Sequence, residues 1–259
     1  MKTFLQLLAI TSIFLSQTGF VLLSPHKATL PVTTDLPKIT FQWDGSYPEM
    51  TDKDKLEGGA YAGLDDQAFM QQLLTIAVDR WNTVRGSFLR MEVLLSNTPV
   101  SMDPEDKVFS LVVEPSDNAS SAAYAAPQMD ENETTIIDCD INIASRKTDA
   151  ESLLFTLVHE LGHCIGLGHA HSNYGAIMGY SRTERKATLG ADDKAGLIFL
   201  YPDPAYVDGN SKELVSCGVT GSRKGPDANI PGLLLLAMVV LGAFYSLRPN
   251  SKNGARGRT

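Results

Sequence analysis

"HELGHCIGLGH", residues 159–169, decides how this chain is read. Only five histidines occur in 259 residues, and three stand here with a fourth, His171, two positions on. On a helix, positions i and i+4 project from one face, so His159 and His163 offer their imidazoles to one point. Gly166 then lets the backbone turn sharply, because glycine takes left-handed torsions at little cost. That turn is expected to bring His169 round as a third ligand. Three neutral nitrogens and one water form the donor set of a catalytic zinc with an open position, not of a closed structural site. Glu160, beside the first ligand, is placed to reach that water without ligating the metal, which makes it the candidate general base. HExxH alone has false positives, whereas HExxHxxGxxH on a capped helix is far more restrictive. His171 reads as a loop histidine, or at most a neighbour of the ligands.

Working outward, "TDAESLLFTLVHELGHC" (148–164) reads as the helix that carries the first two ligands. Thr148 and Glu151 match a T-x-x-E capping box, and Leu153, Leu154, Leu157 and Leu161 form an apolar face. Upstream, Phe69, Leu73, Ala77 and Trp81 share one face of a helix that starts at Asp65 and stops at Gly86. "KITFQWD", "FLRMEVLL", "KVFSLVVE" and "TIIDCDINIA" read as strands, with Phe109, Leu111 and Val113 expected on one face of the third. "SSAAYAAPQ" (120–128) is partly extended, and a last helix, "GADDKAGLIFLY", runs into Pro202 and Pro204. Strand, helix, several strands, helix, loop, helix is the order of an α+β domain.

"HELGHCIGLGH" followed by "AIMGY" resembles the zinc helix and Met-turn of the metzincin metallopeptidases. "AVDRWN", "DCDINI" and "ADDKAGLIFLYP" extend the resemblance from about Lys38 to Tyr201, and point to the matrixin branch in its bacterial form. The resemblance implies a zincin-like fold: a twisted, mostly parallel sheet and two long helices, with a zinc cleft. It implies a zinc endopeptidase acting on extended peptide laid against an edge strand, for which "SSAAYAAPQ" is the candidate. It makes His159, His163 and His169 the zinc ligands, Glu160 the base and Met178 the apolar floor beneath the metal. Ala170 departs from the serine usual in matrixins. Only His26 lies outside the motif region, so the second zinc site of the vertebrate enzymes is not expected, and no cysteine precedes Cys139 to serve as a cysteine switch. Tyr180 gives an M-x-Y arrangement like that of astacins and serralysins. It is a candidate transition-state stabiliser or a packing residue of the pocket wall.

Both chain ends are apolar. "MKTFLQLLAITSIFLSQTGF" has the layout of a secretory signal peptide, with cleavage expected between Gln17 and Ser24. Ile230 to Leu247 is uncharged and just long enough for a single transmembrane segment. The four basic residues after it keep that tail cytoplasmic under the positive-inside rule. The expected organisation is a signal peptide (1–24), a Pro/Thr-rich linker (25–37), a catalytic domain (38–203), a polar tether (204–229), a transmembrane or sorting segment (230–247) and a basic tail (248–259). An exported, cell-surface or periplasm-facing protein follows, anchored by the membrane or released by C-terminal processing. With 22 basic and 30 acidic residues the net charge is -8, which argues against nucleic acid as a partner.

Three cysteines in an exported chain suggest one pair and one remainder. Cys139 and Cys164 are the candidate disulfide. Cys217, in a Cys-Gly motif ahead of the apolar span, is a candidate for sorting or anchor attachment, because the tail resembles tripartite sorting signals of Gram-negative bacteria. Asn118 and Asn132 match glycosylation sequons. "MDENE" and "DPED" are acidic enough to be candidate calcium sites. The reading from another function class is a surface adhesin or binding module that keeps a zinc helix without turnover.

Overall fold

A computed structural model describes residues 20–104, 106–114, 122–170, 175–179 and 186–207. The elements run β1 (Val21–Leu22), β2 (Lys38–Trp43), β3 (Met50–Thr51), a 3-10 turn (Leu56–Gly59), α1 (Asp66–Asn82), β4 (Arg90–Leu95) and β5 (Ser110–Glu114). There follow β6 (Ala123–Met129), β7 (Ile136–Ala144), β8 (Thr148–Asp149), α2 (Ala150–Cys164), β9 (Leu167–Gly168), α3 (Ala191–Leu200) and α4 (Pro204–Val207).

Five strands form the main sheet in the order β4-β2-β5-β7-β6. The first four run parallel, and β6 runs antiparallel to β7 at the edge. Pro127 sits within β6, where an edge strand tolerates a residue that cannot donate to a ladder. The interior strands are covered on both faces, so Val112 is buried beside Leu111 and the alternation expected of this strand is not seen.

The two long helices pack on each other and on the sheet. Phe69, Leu73, Ala77 and Trp81 of α1 are buried, as their spacing predicts. The Trp81 indole N–H donates to the Val158 carbonyl at 3.0 Å, just before the first ligand position. An otherwise costly buried donor is thereby satisfied, and the helix that bears the histidines is fixed against α1.

Two expectations are corrected. The N-cap of α2 is Asp149, whose carboxylate accepts from Ser152 N at 2.8 Å. Thr148 is held in β8, paired with Met50, and so cannot close the predicted capping box. The stretch 25–37, expected as a linker, instead packs on the domain at its start: Ala28 and Leu30 are buried. Leu30 N donates to the Tyr201 hydroxyl at 2.9 Å, and that hydroxyl donates to Ile165 O at 2.9 Å. One buried phenol therefore ties the N-terminal segment to the end of α2.

Among the described residues no helix is long and apolar enough to cross a membrane. The signal segment up to residue 19, the apolar span 230–247, the basic tail, Cys217, Asn118, His171 and Tyr180 lie outside the described residues. So does the tether beyond Val207, whose first residues form α4. Asn132 is described, and stands exposed in the turn between β6 and β7.

Candidate metal centre

His159 and His163 project from the last turns of α2, one helical turn apart. Beyond Cys164 the chain reverses at Gly166, whose φ of +97° is the left-handed conformation that favours glycine. An added Cβ there would also stand 2.6 Å from the Ala28 carbonyl oxygen. The reversal leads through β9 to His169. Its Nε2 lies 3.1 Å from that of His159 and 3.2 Å from that of His163. Among the described residues this is the one group of three metal-capable side chains whose ligand atoms converge.

The outer nitrogens fix the tautomers. His159 Nδ1 lies 2.7 Å from the Ile177 carbonyl, and His163 Nδ1 lies 2.8 Å from that of Leu167. A carbonyl can only accept, so both Nδ1 atoms carry the proton and both Nε2 lone pairs face inward. Burial above all, with His159 second, holds His163 down at about 4, so it stays a neutral donor near neutral pH. Two tetrahedral zinc–nitrogen bonds of ordinary length span about 3.3 Å between nitrogens. The observed separations fit that ion, and the all-imidazole donor set suits zinc.

Glu160 points from the same helix and is only 7% exposed. Its Oε2 accepts the Ala125 N–H at 2.8 Å, which joins the carboxylate to edge strand β6. Burial pushes its pKa up to about 7, against the opposing pull of that hydrogen bond. A carboxyl poised near neutrality can both take and return a proton.

Met178 is buried in the turn that follows, close under α2. A Cβ on Gly162 would stand 2.3 Å from the Met178 sulfur, so this position admits only glycine without rearrangement. Ala170, just after the third ligand, donates its N–H to Met178 O at 2.8 Å. Cys139 of β7 and Cys164 at the end of α2 are joined, with Cα atoms 5.5 Å apart. That crosslink anchors the residue after the second ligand to the sheet.

Sequence reasoning missed three participants. Asp193, in the first turn of α3, accepts from Ile177 N (2.7 Å), Met178 N (3.2 Å) and Gly190 N (2.6 Å). The Ile177 carbonyl in turn orients His159, so Asp193 acts on the ligand set at one remove. Ala125, by holding Glu160, and Tyr201, by tying Leu30 to Ile165, are the others. The acidic runs show no convergent ligand set among the described residues. Asp130 of "MDENE" instead closes its own turn, accepting from Thr134 N and Thr135 N at 2.7 and 3.0 Å.

"Metalloendoproteinase 1-MMP" of Arabidopsis thaliana is 41% identical over 80 residues, which cover 29% of this chain and 21% of that protein's length. Among solved structures, the "GM1 bound form of the ECX AB5 holotoxin" aligns at 14% identity and a TM-score of 0.40, over 71% of this chain and 87% of that one. The sequence profile of the matrixins matches residues 70–202, which span the whole histidine cluster and more than half of the sequence; the chain belongs to the matrixin family.

Proposed function

We propose that the protein is a zinc-dependent endopeptidase that hydrolyses peptide bonds of extracytoplasmic proteins, with Glu160 as general base. The carrying observation is the convergence of the His159, His163 and His169 Nε2 atoms beside the buried Glu160 carboxylate. When bound there, a zinc ion supplies a Lewis acid that polarises a carbonyl and acidifies a water. The chain's own groups do the rest. His159 and His163 present neutral, tautomerically fixed nitrogens from a half-buried frame, and His169 completes the set. Glu160 takes a proton from water and returns one to the leaving amine, roles its place beside the ligands on the same helix allows. Edge strand β6 offers main-chain groups to an extended peptide, and its Ala125 and Pro127 border one cavity with His163 and His169.

Glu160 favours this reading over a non-catalytic zinc module, since a site closed by three histidines needs no further, non-ligating carboxyl to bind its metal. Export and surface tethering are proposed from the apolar ends of the sequence, and would direct the cleft toward neighbouring surface proteins. Calcium remains a candidate through the acidic runs alone, and Tyr180 a candidate stabiliser of the tetrahedral intermediate. Hydrolysis of casein by the purified chain, lost with a chelator and restored by zinc, tests the central reading. Stoichiometric zinc with no turnover of casein or of a broad peptide library would overturn it in favour of a binding module.

A further inference from the structure

Residues 20–24, placed by their sequence at the end of the signal peptide, instead run along the metal site and pack on it. β1 pairs antiparallel with β9, matching Val21 to Gly168 and Leu22 to Leu167, directly before the third ligand. Leu23 N donates to Gly166 O at 2.8 Å. Close fit holds the segment in place: a Cβ on Gly168 would stand 2.8 Å from Leu22 O, and one on Gly196 would stand 3.2 Å from Phe20. Phe20 also packs on Phe199 of α3, with ring centroids 5.3 Å apart.

The consequence is a cavity of about 310 Å³ whose one wall is β1 and whose other is edge strand β6. Val21 and Leu23 stand on the first side, Ala125 and Pro127 on the second, and His163 and His169 at the metal end. Among the described residues no acidic side chain borders it, and the two histidines are the only ionisable side chains that do. Leu22 also reaches the cavity edge but packs against the core, whereas Val21 is 36% exposed. An uncharged cavity that opens onto two metal ligands and an edge strand has the character of a side-chain subsite.

We infer that β1 supplies one wall of a substrate subsite, with Val21 and Leu23 selecting an uncharged aliphatic side chain of the peptide next to the cleaved bond. The inference rests on the endopeptidase reading and extends it, because it assigns specificity to the N-terminal segment and not only to the zinc helix and the turn after it. One substrate position, on one side of the scissile bond, should feel this wall.

The test uses the full exported chain, loaded with zinc, its N-terminus established by mass spectrometry. Wild type, Val21→Thr, Val21→Trp and Val21→Glu are compared on a peptide series varied one position at a time around the cleavage point. Wild type and the near-isosteric Val21→Thr are expected to prefer aliphatic side chains at one position. Val21→Trp should lower kcat/KM by about tenfold for large side chains there, and little for glycine or alanine. Val21→Glu should shift the same position toward lysine and arginine. Zinc content should stay near wild type in all. A uniform loss across every peptide, or an unchanged preference profile, overturns the inference while leaving the peptidase reading intact. A mature active chain that starts after Leu23 overturns it too, because the wall is then absent from the enzyme. If zinc-loaded wild type cleaves neither casein nor any peptide, the peptidase reading fails and this inference falls with it.

Discussion

Asp193 holds Met178 in place from a different helix: its Oδ1 accepts the Met178 N–H at 3.2 Å while its Oδ2 accepts that of Ile177 at 2.7 Å. The side chain is 2% exposed, so these are desolvated, charge-assisted bonds with no water to replace them. Asp193→Ala leaves three N–H groups without this acceptor and should cost about 3 kcal/mol in urea unfolding. Because Ile177 O orients His159, zinc affinity should also fall at least about tenfold, read by competition with a chromogenic chelator. A variant with wild-type affinity would show that the Met-turn holds its shape without this carboxylate.

Glu160 separates chemistry from metal retention. Glu160→Gln keeps the size of the side chain and a hydrogen-bond acceptor for Ala125 N–H, but cannot take the proton. Hydrolysis should drop by a factor of about 10² or more, with zinc near one per chain by elemental analysis. Wild-type turnover would refute the general-base assignment. Loss of zinc would mean instead that the carboxylate braces the ligands.

Much of the metal centre was legible because it is local. The ligand spacing falls within one helix and one glycine reversal, and Gly166 has the torsion that its place in the motif requires. What was illegible comes from distance in sequence. Asp193 looks like an ordinary acidic residue at a helix start, and its partners at 177 and 178 can be found only once α3 has been placed. The start of the 25–37 stretch read as linker because Pro and Thr break periodicity, yet Ala28 and Leu30 fill the core and Tyr201 bonds Leu30 from 171 positions away. Asp149 displaced Thr148 as the helix cap because β8, invisible to helical patterning, claims Thr148 first.

The Cys139–Cys164 bridge closes a separation of 25 residues between β7 and α2. By the chain-entropy account, its loss through Cys139→Ala with Cys164→Ala should cost about 3 kcal/mol in unfolding free energy. The double variant should still bind zinc, since no ligand is removed, but should lose it faster on heating. Peptide mapping without reductant checks the pairing itself. Free thiols at both positions in the exported protein would rule it out.

Asp138 and Asp140 lie on one side of β7, two positions apart, and both are buried. Neither Asp138 oxygen makes a well-formed hydrogen bond, and Asp140 is held by Ser110 N at 3.2 Å. Burial first, then the Asp140 carboxylate, push Asp138 from 3.8 up to about 7, against the pull of the Cys139 and Lys107 N–H groups. Asp106 adds to the same push, and burial raises Asp140 to about 6, with Asp106 and Asp103 contributing. Between pH 4 and 7 the folded chain therefore holds protons that the unfolded chain has released. Stability must fall as pH rises through that window, and the penalty is fully present above it. Asp138→Asn removes the larger part of this slope, and each tenfold change in proton affinity corresponds to about 1.4 kcal/mol. Urea unfolding at pH 5 and pH 8 should show wild type losing more stability than the variant across that range. Parallel losses in the two proteins would mean that Asp138 is relieved of its charge penalty in solution, and the same unfolding series repeated with millimolar calcium would show whether a cation does so.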